Sequence, residues 1–194
     1  IMLVDDPAIR GRIDTLLAEQ DWIPKAPHFL VFLGNNRRQR QIHDWTGIPF
    51  ANDHLDAFFN ASVDAGIVLS AFVLAAEAAG IGCCPISVIR NHAEEVSGLL
   101  GLPKHVFPVA GLGFGWPSGP SYISARLPLS ATVHRNRFTD ATREVVEGYD
   151  RRRNAIFPYR SQRNVARFGT SPDYGWSQEK ARQYAEPERA GFGK

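Results

Sequence analysis

The longest regular segment of the sequence, residues 53–79, most constrains the fold that this chain can adopt. Its pattern predicts one long helix, and Gly80 and Gly82 predict where that helix ends. In its second half, Ala65–Ala76, apolar residues occupy every face of the helix. Because a helix that is apolar all round is normally covered by other elements, we expect it to be central and buried.

Shorter elements are predicted before and after this helix. Asp6 followed by Pro7 predicts a helix start, since aspartate caps well and proline suits the first turn. The apolar run His28–Leu33 predicts a buried strand, the polar segment Asn35–Ile48 predicts a loop, and Cys83–Val88 predicts a second strand.

The pattern after residue 90 predicts another helix and two more strands. Asn91 is expected to cap the helix, with Glu94 as its capping-box partner. Strands are expected at Val106–Gly115, whose glycines indicate close approach of another group, and at Leu129–His134. Residues after 139 are weakly helical and rich in arginine. The order of these elements predicts an α+β fold built around the long helix.

Composition and charge narrow the class of protein. The 194-residue chain is 44% hydrophobic and 22% charged, as expected for a globular domain. Residues 151–194 hold 10 Lys or Arg against 4 Asp or Glu, whereas the other residues hold 12 against 16. A basic segment on a mildly acidic body indicates an anionic ligand near that segment.

Two features bear on cellular location. The only cysteines, Cys83 and Cys84, are adjacent, which disfavours a disulfide and indicates a reducing, cytoplasmic compartment. The apolar run Ala65–Ala76 is shorter than the roughly 20 residues that a membrane span needs, so no membrane is expected.

Motifs of acid–base, nucleophilic and metal chemistry are absent from the sequence. It has no P-loop, no GxSxG elbow and no His, Cys or carboxylate cluster with metal-ligand spacing. Gly111, Gly113 and Gly115 lack the strand–turn–helix context of a dinucleotide fingerprint. A protein without such groups can let a bound cofactor perform the chemistry.

Four short motifs, in order and in register, resemble the FMN-dependent nitroreductase family. They are Ala75–Gly82 with the strand-like segment that follows it, Val96–Pro103, Val109–Pro117 and Arg126–Pro128. With the Arg-rich tail, they are most similar to the subgroup of NADPH-dependent flavin reductases and oxygen-insensitive nitroreductases. The resemblance implies an antiparallel-rich sheet wrapped by helices around the long central helix.

The resemblance also suggests how the chain is organised. We interpret residues 1–138 as the FMN-binding domain, and residues 139–194 as an extension that packs on that domain or on a partner. The family's Arg-Ser-x-Arg segment, which grips the FMN phosphate, would precede Ile1, and its closing helix would follow Lys194. We therefore expect a fragment cut at both ends, which leaves open whether it retains FMN by itself.

The flavin ring is assigned contacts at two places by this resemblance. Pro85, Ile86 and Ser87 are expected against the isoalloxazine ring, with a backbone N–H near Ser87 donating to flavin N5. Gln20 is expected to hydrogen-bond the polar edge of the flavin, with Trp22 close by. The alternatives are an ordinary core strand and a polar residue at a helix end.

The anionic parts of FMN and NADPH are assigned to basic residues by the same resemblance. Arg126, assisted by the hydroxyl of Ser124, is expected at the FMN phosphate, because a guanidinium suits an anion. Arg160 is expected at the 2′-phosphate of NADPH, with Arg163 and Arg167 assisting. The alternative for each is a solvated charged side chain.

The implied reaction is a ping-pong oxidation and reduction. NADPH reduces bound FMN and leaves, and an acceptor such as a nitroaromatic, a quinone or free flavin then takes its place. No side chain is required as an acid or base, and no metal is expected. The resemblance also implies a homodimer joined largely through the long helix.

Three other functions are compatible with the sequence. Relatives on the same fold carry out enone reduction or dehalogenation, and the choice of acceptor is expected to depend on loops such as Asn35–His54. A nucleic-acid-binding module could use the basic tail, where arginines alternate with aromatic residues, although no nucleic-acid-binding motif accompanies it. A flavin-binding protein without turnover is the third alternative.

Overall fold

The computed structural model describes residues 1–119 and 122–187, which divide at that gap into two compact units. The first unit contains a four-stranded sheet and the long helix. The second unit contains three helices and a loop segment at residues 122–142. Residues 122–138 therefore belong to the same compact unit as residues 139–187.

A four-stranded antiparallel sheet forms the centre of the first unit. Its strands are β1 (Met2–Leu3), β2 (His28–Asn35), β3 (Gly82–Ile86) and β4 (Val106–Gly115), in the spatial order β1-β2-β4-β3. The predicted strands at His28–Leu33, Cys83–Val88 and Val106–Gly115 are thus confirmed, with small shifts at their ends. Because β3 lies at one edge of the sheet, its outer side has no neighbouring strand within the described residues.

One face of the sheet carries the main core of the unit. Helix α1 (Pro7–Leu16) starts as predicted, since the side chain of Asp6 accepts hydrogen bonds from the N–H groups of Ala8 and Ile9. Helix α4 (Ala93–Leu99) packs on the same core. The core is made of buried aliphatic and aromatic side chains, Val4, Ile13, Leu17, Ile23, Phe29, Val31, Ile86, Ile89 and Val96.

The long helix α3 (Leu55–Ala78) forms where it is predicted, but the prediction that it is buried is wrong for the single chain. One side packs on the sheet, where Phe72 meets the rings of Phe32 and Phe114 at 6.1 and 5.5 Å. The sheet covers only that side. Large apolar residues on the other sides stay exposed, among them Phe59, Ile67 and Leu74.

Helix α3 also bears on the expectation about membranes. By length and composition it could cross a bilayer, and it is the one such helix among the described residues. The apolar run Ala65–Ala76 is only part of this helix, so the expectation that its length excludes a membrane span is wrong. A single helix of this kind is weak evidence for a membrane span, since a core helix of a soluble protein passes the same test.

Three local predictions differ from the structure. The expected loop at Asn35–Ile48 contains helix α2 (Arg37–Thr46), which ends at Gly47 in the left-handed conformation. This helix is polar on most faces, so its sequence lacks the apolar stripe from which a helix is predicted. The predicted strand Leu129–His134 is a short 3-10 turn, and helix α4 is preceded by His92 with no side-chain cap, so the predicted cap at Asn91 is wrong.

The second unit contains α5 (Arg143–Ile156), α6 (Val165–Phe168) and α7 (Trp176–Tyr184). Polar contacts join α5 to α7. The buried carboxylate of Asp150 accepts a hydrogen bond from the backbone N–H of Ser177 at 3.1 Å and another from its hydroxyl. An ideal Cβ at Gly175 would lie 2.5 Å from Cγ of Asp150, so this approach requires glycine.

Candidate functional site

The edge strand β3 presents alternating side chains. Ile86 is 4% exposed and belongs to the main core, whereas Pro85 and Ser87 point outward and are exposed. The hydroxyl of Ser87 makes no hydrogen bond within the described residues. A flat ligand lying on this edge would thus meet the ring of Pro85 and the backbone on either side of Ile86.

A groove of about 430 Å³ opens beside β3 in the same unit. Trp22 and Trp116 line it together with Cys83 and Cys84. Trp22 lies over Gly113, where an ideal Cβ would be 3.2 Å from its ring. Two aromatic walls next to an exposed strand edge suit a planar ligand.

Gln20 is linked to this groove through Trp22. It lies in the turn that follows α1 rather than at the end of the helix, and its side chain is exposed. Its Oε1 accepts a hydrogen bond from the indole N–H of Trp22 at 3.2 Å. The amide N–H₂ of Gln20 is the group left to donate to a ligand.

The two cysteines at the groove are not activated. Burial raises the pKa of the Cys83 thiol, and the carboxylate of Glu77 and the neighbouring Cys84 raise it further. Burial also raises the pKa of the Cys84 thiol. Since the thiolate is the reactive form, both are poor nucleophiles near neutral pH. They line the groove with small side chains.

Ser124 and Arg126 lie together in the second unit. Nη1 of Arg126 donates to the hydroxyl of Ser124 and, at 3.3 and 3.5 Å, to the main-chain carbonyls of Ser124 and Ala125. Both side chains are exposed. The contacts to carbonyls are long, so an anion could replace them at small cost.

Two residues that the sequence did not single out hold this pair in place. Tyr149 and Arg152 of α5 donate to the carbonyls of Ala125 and Arg126. The contacts join positions 24 and 26 residues apart in the chain. No local pattern signals such a contact, which explains why sequence reasoning missed both residues.

The three arginines expected at NADPH differ in their surroundings. Arg160 is exposed and makes no hydrogen bond or ion pair within the described residues. Arg163 is held by Glu179 at 2.8 Å and by Glu186 at 3.3 Å. These hydrogen bonds, that to Glu179 above all, raise the pKa of Arg163. Arg167 donates to the carbonyl of Ala185 at 2.9 Å.

The expected site residues therefore fall into two groups. Within the first unit, Gln20 bonds to Trp22, and Trp22 lines the groove with Cys83 and Cys84 at the start of β3. Within the second unit, Ser124 lies beside Arg126, and Arg163 with Arg167 stabilises the segment that carries Arg160. A further cavity of about 940 Å³ between α5 and α7 contains none of the expected residues.

Each of the two groups, taken by itself, fits one part of FMN. An exposed guanidinium beside a hydroxyl is a donor set for a phosphate monoester. The strand edge and its aromatic groove offer a surface for a planar ring, and Gln20 offers a donor for a ring carbonyl. No group of three or more potential metal ligands occurs in the part of the chain that the structure describes.

Comparisons with known proteins cover both units. Residues 1–116 match the model of the Nitroreductase family, and residues 124–194 match that of the Nitroreductase family, C-terminal domain. An FMN reductase (NAD(P)H) of Bacillus subtilis is 32% identical over 190 residues, 95% of this chain and 73% of that protein. An oxygen-insensitive NADPH nitroreductase of Salmonella typhimurium is 33% identical over 150 residues, 77% of this chain and 61% of that protein.

Solved structures of flavin reductases and related proteins are also similar to this chain. B. megaterium NfrA2 has a TM-score of 0.83 at 33% identity, covering 98% of this chain and 79% of that one. The NADPH:FMN oxidoreductase from Vibrio harveyi, complexed with NAD+, has a TM-score of 0.79 at 26% identity, covering 96% and 73%. The chain thus spans about three fifths to four fifths of these relatives. The predicted α+β fold class is confirmed.

Proposed function

Because the chain belongs to the nitroreductase family, as its four motifs predicted, we propose that it is an FMN-dependent oxidoreductase. It passes electrons from NADPH to a small oxidised acceptor, such as a nitroaromatic, a quinone or free flavin. The relatives named FMN reductase and NADPH nitroreductase support this class of reaction. The observation that carries the proposal is the exposed Ser124–Arg126 donor pair, which suits the phosphate of FMN.

The chain's own residues bind and orient the flavin. In the second unit, Arg126 and Ser124 would hold the phosphate of an FMN. In the first unit, Gln20 would donate its amide N–H to the polar edge of a flavin ring. Pro85 and the backbone around Ile86 and Ser87 would form the surface for the ring, and a backbone N–H near Ser87 would donate to N5. When bound, FMN supplies the redox chemistry by accepting two electrons from the nicotinamide and passing them to the acceptor.

We propose that arginines of the second unit bind NADPH. We assign the contact with the 2′-phosphate of NADPH to Arg160. Its guanidinium is exposed and has no partner in the described residues, so it is available to bind an anion. Arg163 and Arg167 assist by stabilising the segment around Arg160, since each already has partners of its own. NADPH is thereby distinguished from NADH, which lacks that phosphate.

Assembly and location complete the proposal. We propose a homodimer joined through α3, because Ile67 and Leu74 are 62% and 69% exposed in the single chain. A second copy would cover this apolar surface, which a monomer in water would expose at a cost.

The two free cysteines, and the supply of reduced nicotinamide that the reaction needs, favour the cytoplasm over an oxidising compartment.

The visible spectrum tests the function directly. The purified protein should be yellow, and heat should release FMN rather than FAD, as identified by chromatography. Adding NADPH without oxygen should bleach the flavin bands, and a nitroaromatic or a quinone should restore them. A colourless protein that does not bind added FMN would contradict the proposal, and a yellow protein that NADPH leaves unchanged would favour flavin binding without turnover.

The alternatives are distinguished by substrate and by partner. Dehalogenation or enone reduction would use the same bound flavin, so product analysis with halogenated phenols and enones separates them from nitroreduction. The nucleic-acid alternative is less favoured because arginines of the basic tail contact their own chain. Arg153 donates to the carbonyl of Phe157 and lies 4.1 Å from the ring centroid of Tyr159, for example.

A further inference from the structure

The segment that carries Ser124 and Arg126 is attached to α5 by two hydrogen bonds. Tyr149 donates its hydroxyl to the carbonyl O of Ala125 at 3.2 Å. Arg152 donates Nη2 to the carbonyl O of Arg126 at 2.7 Å. The two donors are three residues apart on one helix and therefore share a helix face. They hold two successive carbonyls of the segment.

The helix side of this attachment is well supported. Tyr149 is 6% exposed, and its ring lies edge-on to that of Trp176 with centroids 5.4 Å apart. The guanidinium of Arg152 lies 5.7 Å from the ring centroid of Tyr149. The next residue, Asp150, bonds to Ser177 at the start of α7. The two donors thus project from a helix that is itself fixed against α7.

A loop without such attachments would lose freedom when it binds an anion, and this lowers its affinity. The hydrogen bonds from Tyr149 and Arg152 order the main chain of residues 125 and 126 before any ligand arrives. Arg152 also brings a positive charge next to Arg126, which favours an anion further. Neither residue needs to touch the ligand for these effects.

We propose that Tyr149 and Arg152 are positioning residues that preorganise Ser124 and Arg126 for a phosphate monoester, the 5′-phosphate of FMN. This inference rests on the proposed function, because it assigns the FMN phosphate to that pair. It deepens that function by explaining how an exposed loop becomes selective for the phosphorylated flavin over riboflavin.

The test compares the binding of FMN and of riboflavin, which lacks the phosphate, to the apoprotein by quenching of flavin fluorescence. Tyr149→Phe removes one hydroxyl and keeps the ring against Trp176. It should weaken FMN binding about 2- to 10-fold, the range for one hydrogen bond, and leave riboflavin binding unchanged. Arg152→Ala should weaken FMN binding more, since it removes a bond and a charge.

Matched controls come from the same unit. Arg151→Ala removes the same charge from the adjacent position of α5, where the guanidinium makes no hydrogen bond or ion pair in the described residues. Tyr159→Phe removes a hydroxyl that makes no hydrogen bond within the described residues. Both controls should bind FMN and riboflavin with the affinity of the wild type.

The outcomes separate the two claims. A wild type that does not prefer FMN to riboflavin overturns the assignment of the phosphate, and the positioning role with it. A wild type with that preference and variants that keep it overturn the positioning role alone. Equal weakening of FMN and riboflavin also overturns it, because that result indicates a general loss of structure. Selective loss of FMN in both variants supports it.

Discussion

Trp22 donates its indole N–H to Oε1 of Gln20 at 3.2 Å, and this bond sets the direction of the amide. Because the acceptor oxygen is occupied, the amide N–H₂ is free to donate to a carbonyl at the polar edge of a flavin. The indole is itself fixed by packing over Gly113. Trp22 thus orients Gln20 while it lines the groove.

Replacing Trp22 with Phe keeps an aromatic ring over Gly113 and removes the N–H. We expect FMN and riboflavin to bind about 2- to 10-fold more weakly, since one orienting hydrogen bond is lost and the contact is to the ring. Gln20→Ala should have a similar effect, and the double variant should be no weaker than Gln20→Ala alone. Additive losses in this cycle, measured by fluorescence titration, would show that the two residues act independently.

Arg160→Ala should change the choice of coenzyme. A charge-assisted hydrogen bond contributes about 1.5–3 kcal/mol, so the KM for NADPH should rise roughly 10- to 150-fold. The kinetics with NADH and the flavin spectrum should stay the same, and added salt should weaken the preference for NADPH in the wild type. Equal loss of both coenzymes, or a wild type that prefers NADH, would contradict the role of Arg160.

Ile67→Asp should convert the proposed homodimer to a monomer. Its side chain is 62% exposed on the single chain, and a carboxylate there would be buried without a partner in the interface. Light scattering measures the mass, and circular dichroism should show that the fold is kept. Phe72→Asp is the contrasting variant, because Phe72 packs on Phe32 and Phe114 of its own sheet and its loss should unfold the chain.

Lowering the pH should destabilise the second unit, because it protonates the carboxylate of Glu179. Burial raises the pKa of Glu179, but hydrogen bonds from Tyr174 and Arg163, with the charge of Arg163, outweigh it and lower the pKa overall. The contribution of the carboxylate to the free energy of unfolding is therefore complete above the ordinary glutamate pKa, about 4.3, and is lost as the pH falls through the lower folded value.

Comparing Glu179→Gln with the wild type checks this pH dependence. The variant should have a lower Tm at neutral pH, and the two values of Tm should converge as the pH falls below about 4. A constant difference in Tm down to the acid limit would mean that the charge of Glu179 contributes nothing to stability.

Gly175→Ala should destabilise the protein. The added methyl would lie 2.5 Å from Cγ of Asp150, so α5 and α7 would have to separate, at a cost of about 1–3 kcal/mol. Gly11→Ala in α1 is the control, since a Cβ there meets nothing within 4 Å. That change should stabilise the protein by about 0.5–1 kcal/mol. Urea unfolding distinguishes the two variants, and equal effects would exclude a steric cause at Gly175.

The sequence predicted elements whose signals are local. The cap at Asp6 and the apolar strand from His28 were readable because a few neighbouring residues specify them. Helix α2 was missed because its residues form no apolar stripe. The exposure of Ile67 was missed because periodicity shows that a helix is apolar but does not show how many of its sides its own domain covers.

The candidate site was predictable only where a family motif lies on it. Arg126 and Ser124 were proposed from the motif, and the structure adds that their side chains touch. The roles proposed for Tyr149 and Arg152 depend on contacts between distant parts of the chain. Likewise, the sequence does not distinguish Arg160 from Arg163. Only the structure shows that the guanidinium of Arg163 already forms an ion pair with Glu179.

Pro85 in the edge strand β3 affects how readily copies of this chain aggregate. A proline has no N–H to give to an incoming strand, and it occupies β3 at the edge of the sheet. A second sheet approaching that edge would find one hydrogen-bond donor missing, which discourages edge-to-edge aggregation. The same residue that we place beneath the flavin would thereby protect the apoprotein while this edge lies open to solvent.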